Sequence, residues 1–325
     1  MTIVSVGTTS MASAGASFRC APWTRAQGAD PIGTALVCDL FVLIETPPPW
    51  PEEIGDLPLF AELGRRGLGA RLLAVRPPAD AVVSGAAAEL VAGVRAGVGV
   101  TIWRRSAAGG FTGTDHVVPD EHLADGITRL VREAPADEGW PAPPEVLLCG
   151  HGSRDSCCGR LGTRLALDAA ADWPDLRVRR CSHTGGHRFA PTGFTLPDGL
   201  AWGFLDAETL DTILRRDGKP PLRGHYRGTT ALDMWAQVTE SALFERFGWS
   251  WLDHRITSVS TQVAPDRRSA DVRLAWDGPS GPGLAESTVE NSRTIPVLVC
   301  GEPPENAKKA APEKALRTLT IHTSG

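Results

Sequence analysis

Cys149 and Cys158, with eight residues between them, are followed after twenty-four more by His183 and His187, with three between them. Two thiolates and two imidazoles, paired across one compact segment, make a metal-site arrangement, and the fold must bring both pairs together. Thiolate with imidazole suits zinc or an iron–sulfur cluster, and only the second carries electrons. Gly185-Gly186 lets the spacer between the histidines fold back, so that both imidazoles can face one metal. The glycines of the loop 150–159 leave backbone N–H groups free to approach sulfur, one of a protein's levers on reduction potential.

The surrounding pattern is α/β. An apolar run over 35–44 reads as a buried strand, stopped by Pro47-Pro48-Pro49-Trp50-Pro51. Helices are expected over 52–66, 80–96 and 119–133, and strands over 70–76, 98–104 and 111–118. That order, β-α-β-α-β-β-α, is the succession of a thioredoxin-like domain, assigned to 31–135. Residues 135–144, rich in proline, alanine and acidic side chains, read as a linker. A second thioredoxin-like unit follows over 143–223. It has a strand ending on Cys149, a helix over 160–171, a strand over 176–180 ending beside Cys181, and a strand pair around Pro197-Asp198-Gly199. A helix capped by Asp206 closes it. Both ligand pairs then lie at strand C-termini, where open α/β sheets place ligands. The expected architecture is thus two tandem thioredoxin-like domains with a small C-terminal α+β extension over 224–325. In that extension a helix over 230–247, capped by Thr229 or Thr230, precedes strands at 256–263 and 271–276 and a short run at 295–299. Residues 1–30 read as loosely ordered and the Ala/Lys-rich tail after Glu302 as solvated.

A net charge of −5 and a pI near 5.9 give no reason to expect nucleic acid or an anionic membrane as partner. No apolar run is long enough for a membrane span, and the first twenty residues lack the basic start and apolar core of a secretory signal. Four of the seven cysteines fall within Cys149–Cys181, which suits a reduced, cytoplasmic protein with a local metal site better than a disulfide framework.

The Cys-x8-Cys pair followed by His183-Thr184-Gly185-Gly186-His187 and Arg188-Phe189-Ala190-Pro191 resembles the sucrase/ferredoxin-like family. Weaker points of likeness are Gly33-Thr34-Ala35, Glu45 and Trp50 ahead of the motif, and Tyr226-Arg227-Gly228 and Gln237 behind it. The resemblance implies a [2Fe–2S] cluster in a thioredoxin-like domain, with Cys149 and Cys158 as thiolate ligands and His183 and His187 as imidazole ligands. It implies an electron carrier serving a redox partner protein, with a one-electron potential that falls as pH rises. A zinc-stabilised interaction protein and a cluster-dependent reductase of a small molecule are the competing readings.

Plainer readings hold elsewhere. Cys20, Cys38 and Cys300 read as small buried hydrophobes. Cys157 and Cys181, neighbours of the motif, could ligate only if the loops were built differently. His151 is a loop histidine, solvated, an alternative ligand or a hydrogen-bond donor, and Arg154 with Asp155 reads as a local ion pair or docking surface. Arg188 could hold positive charge near the metal. His225 and His254 show no partner. Adjacent Cys157-Cys158 is not the Cys-x-x-Cys of a thiol oxidoreductase, and no nucleophile elbow, P-loop or dinucleotide fingerprint appears.

Overall fold

The computed structural model describes residues 18–77, 97–107, 109–133 and 138–323; the helix expected over 80–96 lies outside them. Ten strands form one mixed sheet in the order β10-β9-β8-β6-β7-β2-β1-β3-β4-β5, and four more, beginning with β11 (Arg255–Val263), form an antiparallel sheet, β11 to β14. The first half of the large sheet comprises β1 (Leu40–Glu45), β2 (Arg71–Val75), β3 (Val98–Arg105), β4 (Phe111–Val118) and β5 (Trp140–Pro141). The second comprises β6 (Glu145–Cys149), β7 (Arg177–Cys181), β8 (Gly193–Leu196), β9 (Leu200–Trp202) and β10 (Tyr226–Thr229). β1–β2 and β6–β7 are parallel pairs, and the other pairs are antiparallel. β1 and β6 read as unbroken apolar runs because both of their faces are covered, and every residue of β6 is buried.

The expected strands and most of the helices of the two units are present, so the chain is α/β, but the units share this one sheet. The joint between them is a single residue pair, Val75 with Cys181, supported by Ser182 N–H to the Ala74 carbonyl at 2.8 Å. About this joint the halves fold toward each other. Phe41, Trp103 and Phe111 of the first pack on Leu147, Phe194 and Leu196 of the second, with Phe41 and Phe194 rings 5.3 Å apart. One buried ion network crosses the same interface. Glu145 on β6, fully buried, accepts from Trp103 Nε1 at 2.5 Å, Arg179 Nε at 2.7 Å and Arg177 at 3.1 Å, and Arg177 also reaches Asp115 on β4.

Helices cover the outer faces. α1 (Cys20–Ala26) precedes β1; α2 (Pro58–Arg65), with proline in its first turn, and α3 (Leu123–Glu133) cover the first half through Phe60, Leu63, Ile127 and Leu130. α4 (Thr163–Asp172) and α5 (Ala207–Arg215) cover the second, and Asp206 caps α5 by accepting from Thr209 N–H at 2.9 Å, as its residue type predicts. α6 (Ala236–Phe247) lies between the large sheet and β12 (Ser269–Asp277), whose strict in–out alternation buries Val272, Leu274 and Trp276.

Three local expectations change. The tail is not a solvated coil: β14 (Lys309–Thr323) pairs with β13 (Gly283–Val297) along nearly its whole length, and Leu316, Leu319 and Ile321 pack on the core. Its Ala/Lys composition hid this alternation. Residues 20–26, within the segment read as loose, form α1 because Cys20 and Ala21 are buried against the metal-motif loops. The helix expected from 230 begins at Ala236, where Asp233 accepts from the N–H groups of Trp235 and Ala236, and Thr229 belongs to β10.

Candidate metal centre

The C-terminal ends of β6 and β7 open into two loops, and the four residues of the motif lie there, at the edge the sequence pattern indicates. Cys149 is the last residue of β6 and is in register with Cys181 on β7. The chain then turns through Gly150–Cys157 into a wide helical turn, Cys158–Gly162, that feeds α4. This turn closes tightly on the strand end: a Cβ on Gly162 would lie 1.9 Å from the Cys149 carbonyl oxygen. The second loop runs from Cys181 to a 3-10 turn at His187–Phe189, with Gly185 (φ 85°) and Gly186 (φ 69°) left-handed, as the fold-back of the spacer requires.

The thiols of Cys149 and Cys158 meet, and His183 faces Cys149. The Cys158 thiol holds Cys149 well below the usual thiol range, and His183 adds to this against the cost of burial. The same contact and burial push Cys158 up. Both thiols would give up their protons to a bound metal. His183 Nδ1 is buried without a hydrogen-bond partner, and the rings of His183 and His187 are 5.9 Å apart. His187 turns its Nδ1 toward Asp155 Oδ2 at 3.3 Å, leaving Nε2 as its free nitrogen. A thiolate pair, an orphaned imidazole nitrogen and a second imidazole oriented by a carboxylate are a donor set that fits a metal or an iron–sulfur cluster.

Several neighbours depart from their plain readings. His151 is buried, not solvated: its Nδ1 accepts from the His183 N–H at 3.1 Å and its Nε2 donates to the Pro51 carbonyl at 2.7 Å. Burial lowers its pKa, and with both nitrogens engaged it positions His183. Arg154 and Asp155 do not pair. Arg154 turns outward to Glu52 and Glu53, while Asp155 turns inward and is 4% exposed. Burial raises the Asp155 carboxyl, but His187 and the N–H groups of Cys300 and Cys157 outweigh it and hold it well below the usual range. Cys181 packs with Leu73, Leu147 and Phe194 as an ordinary core residue. His225 and His254 have partners after all, the Gly203 carbonyl and the Phe247 and Trp251 rings.

Two buried arginines, Arg188 and Arg227, and the half-buried Arg71 surround the loops. Arg71 donates to the His183 carbonyl, and Arg227, fully buried, donates to the Gly185 carbonyl at 3.0 Å and the Thr34 carbonyl at 2.6 Å. Arg188 lies over the Phe189 ring at 4.7 Å. Among the described residues none of the three has a carboxylate partner. Desolvation lowers all three, Arg227 to about 10, and they still carry their charge at neutral pH. Of these, the sequence indicated Arg188 as a charge near the metal, and Arg227 only as a point of family likeness.

The sucrase/ferredoxin-like family model matches residues 31–228, more than half of the chain. The chain belongs to the sucrase/ferredoxin-like family. No curated protein and no solved structure matches it. As a sucrase/ferredoxin-like protein it contains, among its described residues, no helix long and apolar enough to cross a membrane. The family match covers both halves of the large sheet and ends inside β10, so α1, α6 and the second sheet lie outside it. Two of the residues around the motif, Cys20 and Cys300, come from those outer segments: Cys20 lies 3.4 Å from Asp155 Oδ2 and Cys300 lies 3.2 Å from Cys157. Sequence spacing offers no signal for them, since 280 residues separate the two cysteines.

Proposed function

We propose that this protein is an electron carrier whose thioredoxin-like second half holds a [2Fe–2S] cluster on Cys149, Cys158, His183 and His187. Such a cluster supplies one-electron redox at the end of β6. The observation that supports the reading is a set of arginines with no hydrogen-bonded carboxylate among the described residues, the buried Arg188 and Arg227 and the half-buried Arg71, around the loops that carry two thiols and two imidazoles. A zinc ion on two thiolates is neutral and stays so, and adds no negative charge beside these cations. A cluster with the same two thiolates becomes an anion on reduction, and Arg71, Arg188 and Arg227 stabilise that state. They act in the same direction as the imidazoles, which remove two negative charges relative to four-cysteine ligation. Two-histidine centres of the Rieske kind span roughly −150 to +300 mV against about −400 mV for plant-type ferredoxins, and this site belongs above the plant-type value.

The chain's own groups also govern the proton. His187 keeps its Nδ1 proton on Asp155, and His183 rests its backbone N–H on His151. An added electron strengthens the hold of the ligand imidazoles on their protons, so the potential falls as pH rises. The side chain of His187 remains 14% exposed, which gives a redox partner protein a close approach to the imidazole edge.

Anaerobic purification followed by iron, sulfide and zinc analysis tests the reading. Two irons and two acid-labile sulfides per chain, with a brown colour that bleaches on dithionite and is lost in Cys149→Ser, are expected. A colourless protein that cannot be reconstituted with iron and sulfide, or one with zinc dependent on Cys149 and His183, refutes it.

A further inference from the structure

Beside the proposed cluster ligands, and sharing none of them, stands a second constellation. The Sγ atoms of Cys20, Cys157 and Cys300 and a carboxylate oxygen of Asp155 all lie within 4.8 Å of one another. Individual edges are short: Cys157 to Cys300 3.2 Å, Cys20 to Cys300 3.6 Å, Cys300 to Asp155 Oδ1 3.4 Å, and Cys20 to Asp155 Oδ1 3.5 Å. A tetrahedral zinc with metal–sulfur bonds of about 2.3 Å separates its sulfur ligands by about 3.8 Å, so this quartet needs only a slight expansion to admit the ion. We propose that Cys20, Cys157, Cys300 and Asp155 form a structural zinc site that fastens both ends of the chain to the loop carrying Cys158.

Three features support a cation there over a chance meeting of thiols. Asp155 is buried among the sulfurs and, among the described residues, has His187 but no arginine or lysine as partner. The surrounding backbone is arranged for anions. Cys157 N–H and Cys300 N–H donate to the two carboxylate oxygens at 2.8 and 3.2 Å, while Ala21 N–H points at the Cys157 sulfur and Cys20 N–H at the Cys300 sulfur. Finally, the carboxylate divides its oxygens. Oδ1 faces Cys157 N–H and the Cys300 sulfur, whereas Oδ2 faces His187. Zinc on Oδ1 leaves the Oδ2 contact to His187 intact. The thiol protons displaced by the ion pass to solvent through Cys300, the one partly exposed member.

A closed four-ligand site with no open position suits structure, not catalysis. It would also connect the two outer segments to the cluster loop, since Cys20 begins α1 and Cys300 follows β13.

The test uses the full chain, purified anaerobically, with iron and zinc measured on the same sample. One zinc per chain is expected, independent of iron. Cys149→Ser should lose iron and keep zinc, whereas the double variant Cys20→Ala/Cys300→Ala should lose zinc at least about tenfold and keep the visible spectrum. Should the double variant fail to fold, Co²⁺ exchanged into Cys149→Ser must still give the thiolate-to-cobalt absorption of a tetrahedral site. The inference is overturned by three results: no tightly held zinc before or after equimolar zinc is supplied, a Cys157–Cys300 disulfide in the anaerobic protein, or zinc that follows Cys149 and not Cys20. The last would refute the cluster reading as well, whereas the first two leave it standing.

Discussion

Gly162 is where one added methyl group acts directly on the candidate metal centre. It ends the helical turn that begins with Cys158, and a Cβ there would lie 1.9 Å from the carbonyl oxygen of Cys149 and 3.0 Å from its carbonyl carbon. Ordinary contact begins at 3.4 Å, so Gly162→Ala must drive the turn and the strand end apart by about 1.5 Å. Neither partner is a flexible side chain that could swing aside: both are backbone, one in β6 and one in the run into α4. The two residues forced apart are the ones that set the spacing between the Cys149 and Cys158 sulfurs. Metal–ligand bonds tolerate errors of roughly 0.2 Å, several times less than this displacement. Overpacking of this kind costs about 1–3 kcal/mol, within what a domain of ordinary stability survives. The expected result is a folded protein, with wild-type far-ultraviolet circular dichroism, that holds at least about tenfold less iron after anaerobic reconstitution. Iron and sulfide content, with the visible spectrum normalised to protein, is the assay. A folded Gly162→Ala protein with full iron content and an unshifted spectrum would refute the claim that this close approach sets the sulfur spacing.

Three further outcomes follow from the same structure. His183→Cys should retain a cluster but lower its midpoint potential in protein-film voltammetry, because a thiolate adds a negative charge where an imidazole stood; an unchanged potential would contradict the ligand assignment. Glu240 is fully buried between Tyr226 and Trp251, and burial pushes its carboxyl up to about 7 from an ordinary 4.5. Its neutral form is the one the fold favours, so this contribution is complete below about pH 4.5 and is lost as pH rises through about 7. By pH 8 urea titrations should show Glu240→Gln gaining on the wild type by up to about 3 kcal/mol relative to the difference at pH 4.5; a pH-independent difference would count against the raised value. Glu145→Ala strands Arg179 between the two half-sheets, leaves Arg177 with Asp115 alone, and should cost about 3–5 kcal/mol in urea unfolding. A loss under 1 kcal/mol would show that the network contributes little to joining them.

The legibility of this chain divides by distance along it. The ligand spacing, the left-handed glycine pair, the strand that ends on Cys149 and the Asp206 cap are local matters, fixed by residue type and period, and they read directly from the sequence. The inward turn of Asp155 did not, because its neighbour Arg154 offered an equally good local partner that the fold gives instead to Glu52 and Glu53. The Ala/Lys-rich tail concealed β14 because its alternation acquires meaning only beside β13.

By itself, then, the sequence determined that Cys149 and the loops bearing Cys158, His183 and His187 would lie at strand ends of an α/β fold. The tertiary structure decided what surrounds them. It closed two half-sheets about the single pair Val75–Cys181, directed Arg71 and Arg227 at the ligand loops, and carried Cys20 and Cys300 across 280 residues to meet Cys157 and Asp155. Periodicity and spacing encode what neighbouring residues do together. Which distant residues share a desolvated site is set by the path of the whole chain, and no spacing records it.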